Sequence, residues 1–517
     1  MMNEETVLEE DDDNVEDARD ASPPNEDELR TTLSVLESIV ANRAQLAHID
    51  SVTRQRLLEA AGRVSRPTRA EQRKLAKELR RRDKRIVRAA EEQLLEATGI
   101  RAGRRAPVFQ TPEPIPVLPA SGEVSSNEPR AEVREARKCY VCKEEFRRIH
   151  FFYDQLCPAC ADFNYQKRLQ SADLRGRIAL VTGARVKIGY QAAIFLLRAG
   201  ARVVVTTRFP HDAALRYARE TDYESWADRL EIFGLDLRFT PAVERFVRFV
   251  DGYLPRLDFI LHNACQTVRR PPGYYAHLLD VEAASLEALP LPARRLVSTH
   301  AHERNLLATQ NDTLFSDPAS LSQLSLTSED HAIAGRIDLF PHGQLDQDLQ
   351  QVDRRDKNSW RLTLSEVPTV ELLEVYLVNA VAPFVMSSKL KGLMMKVPTQ
   401  DKHIVNVSAV EGQFYREHKT DKHPHTNMAK AALNMLTRTS AQDYVKDGIH
   451  MNSVDTGWVT DEDPIAIAVR KQAEHGFHPP LDIVDGAARI CDPIFSGMAT
   501  GIHPFGQFFK DYKPTPW

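Results

Sequence analysis

Four cysteines carry the most legible chemistry in this chain of 517 residues. Cys139 and Cys142 stand in KCYVC, Cys157 and Cys160 in CPAC, so two residues separate the members of each pair. That gap lets both sulfurs of a pair reach one metal ion, and four thiolates at ~2.3 Å make a closed tetrahedral zinc site. A closed set leaves no position for a reacting water, so the Zn2+ expected here is structural. A redox CxxC pair is the rival reading, and two pairs at zinc spacing weigh against it. His150, between the pairs, is expected to pack or to lie at the surface.

A small framework must position those sulfurs. FRRIHFFYD between the pairs has the aromatic and branched content of a short hairpin, and ADFNYQKRLQ after them reads as a helix. Together they predict a treble-clef or zinc-ribbon-like module over 137–170. Upstream, residues 1–27 are acidic and poor in large apolar side chains, the composition of a disordered tail. Residues 28–102 read as helical. One helix is expected over 68–98, with Thr68 as its N-cap, an apolar stripe of Leu75, Leu79, Ile86, Ala90 and Leu94, and Gly99 as its stop. The run RRRDKR at 80–85 reads as a solvated helix face rather than a nucleic-acid patch. A protein partner for these helices is left open. The proline-bearing stretch 103–136 is expected to be a linker.

Composition narrows the class. Hydrophobic residues make up 42% and the net charge is −5, which gives no whole-molecule attraction to nucleic acid or anionic membrane. No run approaches the ~18 consecutive apolar residues of a membrane span. The N-terminus, MMNEETVLEEDDDNVED, lacks the apolar core of a secretory signal, so a cytoplasmic location is the expectation. From Leu174 strand-like and helix-like segments alternate to the end, which predicts an α/β fold. GRIALVTGARVKIGYQAAIFLLRAGARVVVTTR at 176–208 reads as strand, glycine turn, helix and strand. Such a turn sets a helix N-terminus, with its free N–H groups and dipole, under a bound phosphate.

From about 174 to 512 these motifs resemble the short-chain dehydrogenase/reductase superfamily. TGARVKIG matches its TGxxxGxG turn at Thr182, Gly183 and Gly189, with Ile188 in the same turn and Lys187 replacing the middle glycine. The resemblance implies a Rossmann-type doubly wound parallel sheet over 174–517, interrupted by an insertion at 266–368, and a bound dinucleotide. The second strand ends in TTRF, with no acid to accept from an adenosine 2′-hydroxyl, whereas Arg185 and Arg208 suit a 2′-phosphate. NADP(H) is therefore the expected cofactor. Asp236 resembles the family's adenine-contacting aspartate, Asn263 stands in an NNAG-like motif, and Val459 with Thr460 follows a turn where Thr456 replaces a proline.

The family reduces a carbonyl with a tyrosine as proton donor, a relay lysine, an asparagine and a serine. Lys430 and Asn379 match the lysine and asparagine, but Thr426 stands where the tyrosine belongs. Ala409 takes the serine position, beside Ser408. A literal YxxxK, Tyr415 to Lys419, lies ahead of the helix whose AALNML pattern fixes the register. The long segment 412–426 offers Tyr415, His423 or His425 as a relocated acid, and an imidazole near pKa 6.5 is competent for that work. Two readings follow: an NADP-preferring oxidoreductase of a small carbonyl or alcohol with a rearranged proton donor, or a non-catalytic dinucleotide-binding scaffold. Homo-oligomer formation is left open.

Overall fold

The computed structural model describes residues 24–113, 131–308, 317–333, 335–415, 419–476 and 478–517. The acidic stretch before residue 24 and the centre of the expected linker lie outside the described residues. Two compact units emerge, Met1–Ala89 and Ala90–Trp517.

In the first unit, local capping starts each helix. Asn25 and Glu28 form a reciprocal capping box at the head of the Glu26–Ala41 helix. Asp50 accepts from the Thr53 N–H at the head of Ser51–Ser65. Thr68 and Glu71 bond each other where the Arg69–Glu96 helix begins, one residue after the predicted start. The helices are present, but their apolar stripes are not buried within the unit. Among its described residues Leu46 alone is buried, while Leu33, Val40, Leu75 and Ile86 are exposed.

The second unit is built on an eight-stranded sheet. Its strands are β3 (Ile178–Thr182), β4 (Arg202–Thr207), β5 (Leu230–Gly234), β6 (Phe259–His262), β7 (Lys402–Ser408), β8 (Ile449–Asp455), β9 (Phe508–Lys510) and β10 (Lys513–Thr515). The spatial order is β10-β9-β8-β7-β6-β3-β4-β5, parallel throughout except for the β9–β10 pair. IALVT in β3 and KHIVNVS in β7 are buried at every residue, as a sheet covered on both faces requires. One face packs under the Lys187–Arg198 and Ile483–Thr500 helices, around Ala193, Leu197, Ala487 and Ile490. Val243, Phe246, Met386 and Leu390, from the Thr240–Tyr253 and Ala382–Met395 helices, cover the other. The order reverses between β3 and β6, and ligands of doubly wound sheets bind at such a reversal, outside the carboxyl ends of the strands. The helical stretch Thr369–Met395 is long and apolar enough to cross a bilayer, and it buries Met386, Leu390 and Leu393 in this core.

The insertion combines a small apolar cluster, Tyr274, Tyr275, Leu278, Ala319 and Phe340 around Phe209, with buried ion pairs. Arg269 grips Asp330 with two bonds of 2.6 and 2.7 Å and donates to Glu374 at 2.9 Å. Glu374 also accepts from Arg238, which fastens the network to the region after β5.

The four-cysteine module differs from expectation in its hairpin. β1 (Glu132–Lys138) pairs antiparallel with β2 (Glu145–Arg148), so only the second strand lies between the cysteine pairs and the first precedes them. Cys139 and Cys142 form the turn, closed by Lys143 at a left-handed φ of 66°. The last residues of the expected linker are thus strand. The second pair starts the Pro158–Arg168 helix, with Cys157 at its N-cap. Tyr153 and Leu156 are fully buried in a core shared with Val459, Leu481 and Ile483 of the large domain.

Candidate functional site

The glycine turn after β3 is stitched to the end of β6. Asn263 Nδ2 donates to the carbonyls of Thr182 and Gly183, both at 3.1 Å, and the Ala264 N–H donates to Thr182 Oγ1. Gly183 has a φ of +67°, and a Cβ on Gly189 would sit 2.2 Å from Asn263 Nδ2 and 2.5 Å from the Gly183 carbonyl. Both glycines are therefore dictated by close approach. Val186 gives the Lys187–Arg198 helix no side-chain cap, which leaves its first N–H groups suited to an anion. Lys187 occupies the left-handed region, with φ of 57°, at a cost of about 1–2 kcal/mol for a residue with a Cβ.

The cations expected near a 2′-phosphate are present and already engaged. Arg185 donates to Asp212 at 2.7 Å and to Gln350 of the insertion at 3.1 Å. Arg208 donates to the Tyr275 hydroxyl at 2.6 Å and stacks on that ring. Burial pushes the Tyr275 phenol up, but Arg208 and Arg270 more than offset this and hold it below its ordinary value. Asp236 turns inward, accepting from the Arg238 guanidinium and backbone.

At the carboxyl ends of β7 and β8, the Pro424–Tyr444 helix carries Lys430, whose Nζ donates to the Val407 carbonyl at 2.7 Å. Ser408 Oγ and Thr426 Oγ1 are buried without a hydrogen-bond partner among the described residues. They flank that bond, since Ser408 follows Val407 and Thr426 lies one helical turn before Lys430. Asn379 sits in a π-helical turn, Leu377–Val381, and exchanges two bonds with the backbone of Gln266. Val459 is buried, and Thr460 donates to Glu462 at 2.7 Å. Ile188 packs on the place where Gly486 has no Cβ.

Tyr415 is not brought to this edge: it is 96% exposed. Lys419 donates to the carbonyls of Glu411 and Gln413. His423 stacks flat on Trp360 at 3.8 Å, and His425 Nε2 lies 3.2 Å from Glu371, an ion-pair geometry between packed helices.

A residue that sequence reasoning passed over joins the edge instead. Asp455 pairs in register with Ser408, as Ser453 does with Asn406. Asn406 and Ser453 both bond Thr437 of the Pro424–Tyr444 helix, so by strand alternation Ser408 and Asp455 face that helix as well. The Asp455 carboxylate accepts from the Val410 and Gly457 N–H groups, each at 2.7 Å. Burial, reinforced by Glu411, raises its pKa to about 6. An acid closing a fully buried strand was the available signal.

The four cysteine sulfurs all lie within 4.8 Å of one another, and Cys142 and Cys157 are 3.7 Å apart. A tetrahedron with 2.3 Å arms has edges of about 3.8 Å, so the donor set fits zinc.

Residues 177–278 match the family model described as short chain dehydrogenase, and 357–477 match that of enoyl-(acyl carrier protein) reductase. An uncharacterized protein of Acanthamoeba polyphaga mimivirus is 30% identical over 372 residues, spanning 69% of this chain and 71% of that one. Dehydrogenase/reductase SDR family member 13 of Bos taurus is 33% identical over 148 residues, and the match spans 26% of this chain and 39% of that relative. A solved short chain dehydrogenase from Burkholderia cenocepacia in complex with NADP is 16% identical, covering 65% of this chain and 96% of that one with a TM-score of 0.41.

Proposed function

The chain belongs to the short-chain dehydrogenase/reductase superfamily, and from that premise we propose that it is an NADP(H)-dependent oxidoreductase of a carbonyl or alcohol whose proton donor has moved. The observation that carries this reading is the pair of buried, unpartnered hydroxyls, Ser408 and Thr426, beside the retained Lys430. Buried polar groups are rarely left unpaired, and here they gather where the sheet would receive a substrate.

The fit of the dinucleotide rests on the uncapped helix start, the glycine turn and the cations Arg185 and Arg208. Bound NADPH supplies a hydride, which leaves the protein to deliver a proton to the carbonyl oxygen. A threonine hydroxyl is a far weaker acid than the tyrosine it replaces. Asp455, with a pKa of about 6, is matched to that task near neutral pH. Lys430 and Asn379 are assigned to positioning and proton relay, and Ser408 or Thr426 to holding the carbonyl oxygen. The four cysteines hold one structural zinc, and the exposed stripe of the N-terminal helices is assigned to a protein partner.

NADPH oxidation against a panel of aldehydes and ketones tests the assignment. Asp455→Asn should lower kcat by about 10²- to 10⁴-fold with little change in KM, the scale of a lost proton donor. Unchanged turnover in that variant would remove Asp455 from the mechanism. Elemental analysis should find one zinc per chain, absent in Cys157→Ser.

A further inference from the structure

Tyr140 of the four-cysteine module and Trp458 of the 457–460 turn are 318 residues apart in sequence, and the fold joins them. Tyr140 stands between Cys139 and Cys142, in the turn their sulfurs define. Its hydroxyl accepts from the Trp458 N–H at 3.0 Å. Trp458 opens the segment that carries Val459 and Thr460, and its neighbour Gly457 has a φ of +75°. A Cβ on Gly457 would lie 3.4 Å from that same hydroxyl and 2.5 Å from Leu481. Two successive N–H groups of this turn are thus held, Gly457 by Asp455 and Trp458 by Tyr140.

A second set of contacts locks the following helix to the module. Tyr153 donates to Asp485 at 2.5 Å, and Arg168 reaches Asp482 at 2.5 Å and Asp485 at 3.0 Å. Asp482 and Asp485 form the capping box of the Ile483–Thr500 helix, so the module's side chains bond the acids that start it. Gly486, on the first turn of that helix, is where Ile188 of the glycine turn packs, 2.8 Å from a would-be Cβ, with Val459 3.3 Å away. The shared core therefore runs unbroken from the cysteines to the phosphate turn.

We propose that the metal held by Cys139, Cys142, Cys157 and Cys160 sets dinucleotide affinity, with Tyr140 as the positioning residue that transmits its occupancy to the 457–460 turn. The inference rests on the dinucleotide-binding reading above. Metal binding in a small cysteine module is folding energy for that module, so its loss frees the Tyr140 loop. With Tyr140 displaced, the Trp458 N–H loses its acceptor and the turn loses the geometry that places Val459 and Thr460.

NADPH titration of the full chain by fluorescence tests the coupling in three preparations: as purified with zinc, stripped with a chelator, and as Tyr140→Phe. Stripping should weaken NADPH at least tenfold, and added zinc should restore it. Tyr140→Phe should keep its zinc and melt within a few degrees of wild type, yet weaken NADPH by about threefold to tenfold, the scale of one lost hydrogen bond. In that variant amide exchange should rise at 458–460 and stay unchanged in the cysteine turn, which a general loss of structure would not produce. Wild-type affinity in Tyr140→Phe, or purified protein without zinc, overturns the proposal. If stripping unfolds the chain, the Tyr140→Phe titration alone decides. No NADPH binding by zinc-loaded wild type overturns the dinucleotide reading itself, and the coupling falls with it.

Discussion

The two ends of the candidate cleft have kept different things. At the β3–β4 end both close-packed glycines of the turn are in place, while Arg185 and Arg208, the cations proposed for the nucleotide, are bonded to the insertion. At the β7–β8 end Thr426 and Ala409 stand where the resemblance expects a tyrosine and a serine, and Asp455 pairs in register with Ser408. In the proposed reading, backbone geometry is kept where an anion would be met by N–H groups, and side-chain chemistry differs where a proton would move. Lys430 links the two descriptions, since its ammonium is bonded to the sheet at Val407 and so is fixed in place ahead of any substrate.

The largest effect should come from Lys430. Lys430→Ala removes the proposed relay cation and should take carbonyl reduction below detection, with a further loss of about 1–3 kcal/mol in stability because the buried Val407 carbonyl loses its donor. Turnover that survives would show that the β7–β8 end is not where chemistry happens. The next effect tests the opposite end. Gly189→Ala forces a methyl against Asn263 and the Gly183 carbonyl, so it should cost about 1–3 kcal/mol and abolish NADPH binding. Arg208→Ala should be milder, narrowing the preference of NADPH over NADH by about tenfold, the weight of one charge-assisted contact. Equal loss for both nucleotides would mean that Arg208 serves Tyr275 and not a phosphate.

A pH titration sharpens the contrast further. The folded-state pKa of Asp455, about 6, lies above its ordinary value of 3.8, so folding favours the protonated form. Its contribution to stability is fully present below about pH 3.8 and is lost as the pH rises through 6. Glu282, buried and raised to about 7, has the same sign, so the wild type alone cannot separate them. The difference in melting temperature between wild type and Asp455→Asn should shift in favour of the wild type as the pH falls from 7 to 5. A difference independent of pH would mean that Asp455 does not titrate in this window.

Those predictions lean on features of unequal visibility. Long buried runs such as IALVT and RVVVTT, with a glycine turn between them, made the parallel sheet readable. The first strand of the cysteine hairpin did not show, because EVREARK buries only Val133 and its charged neighbours carry no apolar alternation. The insertion is unreadable for a different reason: besides an apolar cluster of scattered residues such as Tyr275 and Phe340, it is fixed by Arg269, Asp330, Glu374 and Arg238, and contacts between distant residues leave no period in a sequence. Tyr140 was hidden inside its own motif, where the cysteines draw all the inference.

The smallest expected effect is also the one that separates an enzyme from a scaffold. Thr426 lies on the turn of helix before Lys430 and its hydroxyl has no partner among the described residues, so Thr426→Tyr would bring a phenol beside the ammonium, which favours the phenolate and lowers its pKa. Ala409→Ser would add back the family's hydroxyl next to Ser408. If the chain is a scaffold that holds nucleotide and lysine without chemistry, the double variant should raise carbonyl reduction from nothing to a weak but measurable rate. If Asp455 already donates the proton, the added ring crowds the face it shares with Ser408, and activity should stay flat or fall while NADPH affinity is unchanged. Combining the double variant with Asp455→Asn decides between a crowded donor and a redundant one. Activity retained in the triple variant means that the phenol has taken over, and activity lost means that Asp455 remains the group on which reduction depends.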